Sequence, residues 1–215
     1  MNAAMRHGIA SFNPNGTVMD LTDPQASDIN FSDMAGTLGK IARFNGICRG
    51  PAYSVGQHSV MGADALDHET GDKILAGYFL LHDGHEYRFG DWPKPSVMAI
   101  AHRAEAIQPG AGAAIVIAIE RQKDALDHAI WDAAGIAPIH RMPIYARQVK
   151  DMDDRMCRAE GLAMFGPKAG QHLPAANRPP PRVTGSFHKP WPAEKAREAF
   201  LDRLERYLGI VVRSA

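Results

Sequence analysis

The chain has 215 residues, 24 Lys and Arg against 24 Asp and Glu, and 45% hydrophobic residues, which suits one globular domain with irregular ends. Its formal charge of zero argues against a protein that holds a nucleic acid polymer by neutralising phosphates, because such binding draws on clustered Lys and Arg. Cys48 and Cys157 are too few for a disulfide framework and match no zinc knuckle or redox pair, so they read as free thiols of a reducing cytoplasm.

The N-terminal Met-Asn-Ala-Ala-Met-Arg-His has no apolar run of signal-peptide kind. Asn13-Pro14-Asn15-Gly16, beside the alternating stretch Thr17 to Leu21, predicts a small β-hairpin. Ser32 reads as the N-cap of a first helix, with Asp33 in its first turn and Met34, Leu38, Ile41 and Phe44 at three- and four-residue steps. Further helices are predicted at roughly Ser54 to Asp67, Asp72 to Tyr87, Ser96 to Ala106, Ala111 to Ala134 and Ile139 to Met164, separated by Gly and Pro breakers. The most apolar stretch, Ala113 to Ile119, ends at Glu120, well short of the ~20 residues that span a membrane. Pro174 to Arg182 cannot continue a helix and reads as an extended arm. From about Pro192 to Leu208, Ala196, Phe200, Leu204 and Leu208 share one apolar face, which predicts a last helix packed on the core, with self-association as the competing use of that face.

The chemistry concentrates where the apolar run Ile74 to Leu81 meets His82-Asp83-Gly84-His85-Glu86. Burying so many ionisable groups at the end of a core helix is costly unless something neutralises them, and a metal ion would. His58 lies on the preceding predicted helix, and the acidic cluster Asp151, Asp153, Asp154 lies on a later one. Packed helices can bring one imidazole, an adjacent His-Asp and one carboxylate to a point. Two nitrogen and two oxygen ligands without thiolate suit Mn, Co, Fe, Ni or Zn, with positions left open for water and substrate. The sequence lacks H-E-x-x-H, a phosphate-binding G-x-x-x-x-G-K-[ST] loop, a dinucleotide G-x-G-x-x-G and a G-x-S-x-G elbow.

The order His58, His82-Asp83 and a distant Asp153 resembles the HD-domain metal-dependent phosphohydrolases, an all-helical superfamily. Arg43-Phe44 fifteen residues before His58, then His82-Asp83 with Glu86 and Gly90-Asp91-Trp92-Pro93, is similar to its bacterial 5′-deoxynucleotidase branch and related phage deoxynucleotide hydrolases. Val149-Lys150 ahead of Asp153 extends the likeness, which covers about residues 28–165. The resemblance implies an all-α HD-domain bundle as the catalytic domain over 32–172, and the residues themselves place a hairpin extension before it over 1–31 and a proline-rich arm and terminal helix behind it over 173–215.

It also implies that His58, His82, Asp83 and Asp153 bind one divalent transition metal ion. Such an ion acts as a Lewis acid on phosphoryl oxygens and makes hydroxide available near neutral pH. Glu86, placed on the same helical face as His82, would orient the water or shuttle its proton. Asp91 would face the sugar, Arg43 the phosphate, Phe44 the nucleotide and His85 the phosphate or the surroundings of the metal. The implied activity is hydrolysis of the 5′-phosphate of (deoxy)nucleoside monophosphates by a cytoplasmic homo-oligomer with no membrane partner. Two alternatives stand: release of triphosphate from deoxynucleoside triphosphates at the same site, and a non-catalytic metal- and nucleotide-binding regulator.

Overall fold

A computed structural model describes residues 8–212; the signal-peptide reading of residues 1–7 falls outside them. Among the described residues the fold is mostly helical, with eight helices behind a two-strand antiparallel hairpin. Strands β1 (Ala10–Phe12) and β2 (Val18–Asp20) pair in the register Phe12 with Val18. The Asn13-Pro14-Asn15-Gly16 turn closes on a left-handed Gly16 at φ 82°. Met19 anchors the hairpin in the core, and Arg88 donates to the Phe12 carbonyl at 2.8 Å.

Helix α1 (Phe31–Leu38) begins two residues earlier than predicted. Asn30, not Ser32, is the N-cap, its side-chain oxygen accepting from the Ser32 and Asp33 N–H groups at 2.9 and 3.1 Å. The helix also stops at Leu38, because the next segment is claimed by extended pairing: Ile41 and Arg43 bond to Val55 and Tyr53 backbones. Ile41 and Phe44 therefore leave the helical stripe.

Ser54 and Asp72 cap α2 (Val55–Thr70) and α3 (Lys73–Leu81) through their side chains. These two helices form the centre of the core, so close that a Cβ on Gly62 would lie 2.1 Å from the Phe79 ring. The single helix predicted over Asp72 to Tyr87 is broken. After Leu81 the ladder tightens to i→i−3 bonds (Glu86 N–H to Asp83 carbonyl, 3.1 Å) before the short α4 (Glu86–Phe89). Gly84 permits this turn, since a Cβ there would meet the Leu81 carbonyl at 2.9 Å and Ile130 at 3.0 Å.

Helices α5 (Lys94–Ile107) and α6 (Ala111–Ala133) form a hairpin, with Met98, Ile100, Ile107 and Ile117 exposed. Helix α7 starts at Pro143 and runs to Phe165, later than the predicted Ile139, which lies in a separate tight turn; proline suits a first helical position. The proline-rich arm runs without helix across the body, its Pro179 and Pro180 carbonyls accepting from Arg155 and its Arg182 N–H donating to Glu69. Helix α8 (Ala193–Leu208) then packs on α1, α2 and α3 through Ala196, Phe200, Leu204 and Tyr207, which is core packing and not a free face. No described helix is long and apolar enough to cross a membrane.

Two stability predictions follow from this packing. Phe200 is fully buried, and Phe200→Ala should cost about 3–5 kcal/mol in urea unfolding. Burial raises the Glu69 carboxyl, but hydrogen bonds from Arg155 and the Arg182 N–H outweigh it and hold the group below its ordinary value. Its contribution is complete above the unfolded value of about 4.3 and lost as pH falls through the lower folded value. Glu69→Gln should therefore cost about 1–3 kcal/mol at pH 7, a difference from wild type that shrinks below about pH 4.

Candidate metal centre

His58, in the first turns of α2, is completely buried. Its Nδ1 lies 2.7 Å from Glu160 Oε1, an acceptor, so Nδ1 donates there and Nε2 is the ring nitrogen left to the cluster. His82 caps the end of α3 and repeats the arrangement, its Nδ1 donating to the Phe79 carbonyl at 2.6 Å. Both Nε2 atoms are buried without a hydrogen bond.

These two nitrogens face the same carboxylates. His58 Nε2 is 3.7 Å from Asp83 Oδ2 and 3.5 Å from Asp153 Oδ1; His82 Nε2 is 3.2 Å and 3.8 Å from the same atoms. Two imidazoles gathered on two carboxylates need positive charge among them, either a proton on a ring or a metal ion between the ligand atoms. Ligand atoms about 2.1 Å from one ion are separated by about 3.0 Å at an octahedral right angle and about 3.4 Å in a tetrahedron, and the 3.2–3.8 Å seen run from between these values to a few tenths of an ångström above them. The donor set and the two orphaned nitrogens fit a divalent ion. His58, His82 and Asp83 also form a group whose ligand atoms lie within 4.8 Å of one another.

Helical phase separates the acidic cluster on α7. Asp153 points to the histidines, whereas Asp151 pairs with Arg178 at 2.7 Å and Asp154 with Lys150. The charges are strongly biased. Burial would raise Asp83, yet His82, His58 and Arg43 hold it well below the carboxylate range, and His82 similarly brings Asp153 to about 2 despite its burial. Burial would lower His82, but Asp83 and Asp153 push it well up.

Arg43 stands beside His58 because residues 41–43 pair with residues 53–55 at the start of α2. Its guanidinium meets Asp83 at 3.2 Å and Glu160 at 3.1 Å, with Nη2 4.0 Å from Asp153. Phe44 and Asn45 follow it in left-handed conformations at φ 55° and 53°, sparsely populated for such side chains, and Phe44 packs edge-on against Phe165 at 5.4 Å. Glu86 and His85 flank the other side of Asp83: ligand atoms of Asp83, His85 and Glu86 lie within 4.8 Å of one another. The turn at residues 82–85 means that Glu86 does not share one continuous helical face with His82, as predicted; it reaches the cluster from α4. Burial first, then Asp83 and Asp91, push the Glu86 carboxyl well up, and burial likewise raises Asp91.

Sequence reasoning missed three residues. Glu160 is fully buried and accepts from His58, from the Tyr53 hydroxyl at 3.0 Å and from Arg43. Its signal was a charged residue on the apolar stripe of Val149, Met152 and Met156. Tyr53 completes that network. Asp127, on α6, holds His85 Nδ1 at 3.0 Å and had no sequence signal. His102, His128 and His140 do not join the centre: His102 is exposed, and His128 lies against His140. The centre is marked by its charge constellation and not by depth, since a cleft of about 360 Å³ lies elsewhere, between the hairpin turn, α1 and α4.

Carboxylates that orient metal-binding imidazoles typically contribute 10–100-fold in affinity, so Glu160→Gln should weaken divalent-ion binding by roughly that factor in calorimetric titration. An unchanged affinity would leave Glu160 a purely structural residue.

No protein-family model matches the chain. It is 30% identical over 186 residues, 80% of its own length and 88% of the other's, to an uncharacterized protein of Rhodobacter capsulatus.

Proposed function

We propose that the chain, which belongs to the same family as that Rhodobacter capsulatus protein, is a cytoplasmic HD-domain phosphohydrolase that removes the 5′-phosphate of (deoxy)nucleoside monophosphates. The observation that carries this reading is the convergence of two buried imidazole nitrogens without a hydrogen-bond partner, His58 Nε2 and His82 Nε2, on Asp83 and Asp153. The placement of His58 on α2, His82-Asp83 at the end of α3 and Asp153 on α7 supports assignment to the HD bundle.

His58, His82, Asp83 and Asp153 would hold one divalent ion, which when bound polarises phosphoryl oxygens and lowers the pKa of a coordinated water from ~15.7 toward ~7. Glu160 and the Phe79 carbonyl fix the two imidazoles in the ligating tautomer. Arg43 has five N–H donors. Those committed to Asp83 and Glu160 leave Nη2 donors for a phosphate oxygen. Glu86, buried and with its carboxyl pushed well up, would in its ionised form take a proton from the attacking water and in its protonated form give one to the nucleoside 5′-oxygen as it leaves. Asp91, on the loop after α4, faces the sugar, and Phe44 supplies an apolar wall. His85, oriented by Asp127, leaves its buried Nε2 available to the phosphate or to the surroundings of the metal. The exposed apolar residues of α5 and α6 accord with a homo-oligomer.

The decisive experiment supplies dNMPs, NMPs and dNTPs with Mn, Co or Zn and analyses the products. Inorganic phosphate from dNMPs is the expected result; triphosphate from dNTPs would replace the reading with a triphosphohydrolase, and no turnover would favour a regulator. Asp83→Ala and Asp153→Ala should lose ion and activity together. Glu86→Ala should keep an ion at His58 and His82 while kcat falls by ~10²–10⁴, as for acid–base groups.

A further inference from the structure

The carboxylates around this centre outnumber the cations it can account for. Asp83, Glu86, Asp91, Asp127, Asp153 and Glu160 interact with one another or with the same histidines, and Arg43 is the buried cation among them. Lys150 reaches Asp153 from the solvent side and is shared with Asp154. Burial, with the neighbouring carboxylates, pushes Glu86, Asp91 and Asp127 up, so the crowding is relieved in part by neutral forms in the metal-free chain.

A second set of unsatisfied atoms lies beside Asp83. His85 is 6% exposed and Glu86 8%, and His85 Nε2 and Glu86 Oε2 are both buried without a hydrogen-bond partner. Leaving such atoms unpaired costs free energy unless a ligand meets them. His85 Nδ1 lies 3.0 Å from Asp127 Oδ1, the carboxylate-to-imidazole arrangement that fixes a histidine for metal binding and leaves Nε2 as the ligating atom. Ligand atoms of Asp83, His85 and Glu86 lie within 4.8 Å of one another. Opposite ligands on one ion are about 4.2 Å apart at ~2.1 Å bond lengths, so closing on an ion needs shifts of about half an ångström.

We propose that Asp83, His85 and Glu86 form a second divalent-cation site, with Asp127 as the positioning residue for His85 and Asp83 shared with the ion at His58, His82 and Asp153. It rests on the metal-centre reading above and extends it to a two-ion site bridged by one carboxylate. The donor set, one imidazole nitrogen and carboxylate oxygens, suits Mn, Co or Zn. One Glu86 oxygen is enough for the ion, and the other stays available to the attacking water. An ion there adds a second point of attachment for the oxygens of a phosphate group, the ligand chemistry of two-ion hydrolytic sites.

The test titrates Mn²⁺ into the metal-free full-length chain and reads stoichiometry by calorimetry and spin coupling by electron paramagnetic resonance. Two ions per chain with a spin-coupled signal are expected for wild type. His85→Ala should bind one ion without coupling, and Asp127→Asn should weaken the second ion about 10–100-fold while sparing the first. One ion in wild type that survives His85→Ala but is lost in Asp153→Ala overturns the second site and leaves the first intact. One ion that is lost in His85→Ala but survives Asp153→Ala overturns both assignments, as does the absence of binding. Circular dichroism of the variants separates loss of a ligand from loss of fold.

Discussion

The buried carboxylate of Glu160 is the constraint on which the rest of the centre depends. A fully buried carboxylate is expensive unless its lone pairs are met, and here donors arrive from three places: the His58 ring, the Tyr53 hydroxyl and the Arg43 guanidinium. Burial would raise this group, but His58 and Arg43 outweigh it and keep it ionised. One side chain on α7 thereby fixes the tautomer of a ligand candidate on α2, clamps the segment that precedes α2, and turns Arg43 toward Asp83. A neutral or shortened residue would leave three buried donors unmet, which is why rigidity and chemistry cannot be separated at this position.

The helices around it divide the work. Helices α2 and α3, pressed together at Gly62 and Phe79, supply an unyielding wall from which His58 and His82 project. The interruption after Leu81 gives up regular helical bonding, and in exchange consecutive residues diverge: His82 and Asp83 turn toward α7, and His85 turns toward Asp127 on α6. The left-handed Phe44 and Asn45 are a similar concession beside Arg43. Local departures from regular backbone gather around the ionisable cluster, where such departures are commonly tolerated.

Much of the architecture was legible in the sequence because it depends on local chemistry. Asn15-Gly16 between alternating residues marks the hairpin, Ser54 and Asp72 mark helix starts, and the Ala196, Phe200, Leu204 stripe marks a helix that needs a core to cover it. The break at residues 82–85 was not legible, since one glycine in an apolar helical run is tolerated and the tight turn is fixed by Ile130 of a helix much later in the chain. His58, His82, Asp83 and Asp153 are singled out by their resemblance to a family pattern, whereas residue type alone leaves Asp151, Asp153 and Asp154 equal, and the phase of α7 in three dimensions is what separates them. Asp127 was invisible for a related reason. A carboxylate amid helical residues reads as solvated until a distant imidazole is seen against it.

The proline-rich arm has a mechanical meaning for the ligands it never touches. Arg155 follows Asp153 by two residues, so the two side chains leave α7 about 200° apart around its axis. Asp153 faces the histidines, while Arg155 is gripped on the opposite flank by Glu69 at 2.7 and 2.8 Å and by the Pro179 and Pro180 carbonyls. A helix gripped through Arg155 on one flank resists rolling about its long axis, and a roll is the motion that would carry Asp153 away from His58 and His82. The arm is thus a torsional brake on α7, and the length and path of a segment without regular structure set the angular setting of a carboxylate inside the domain.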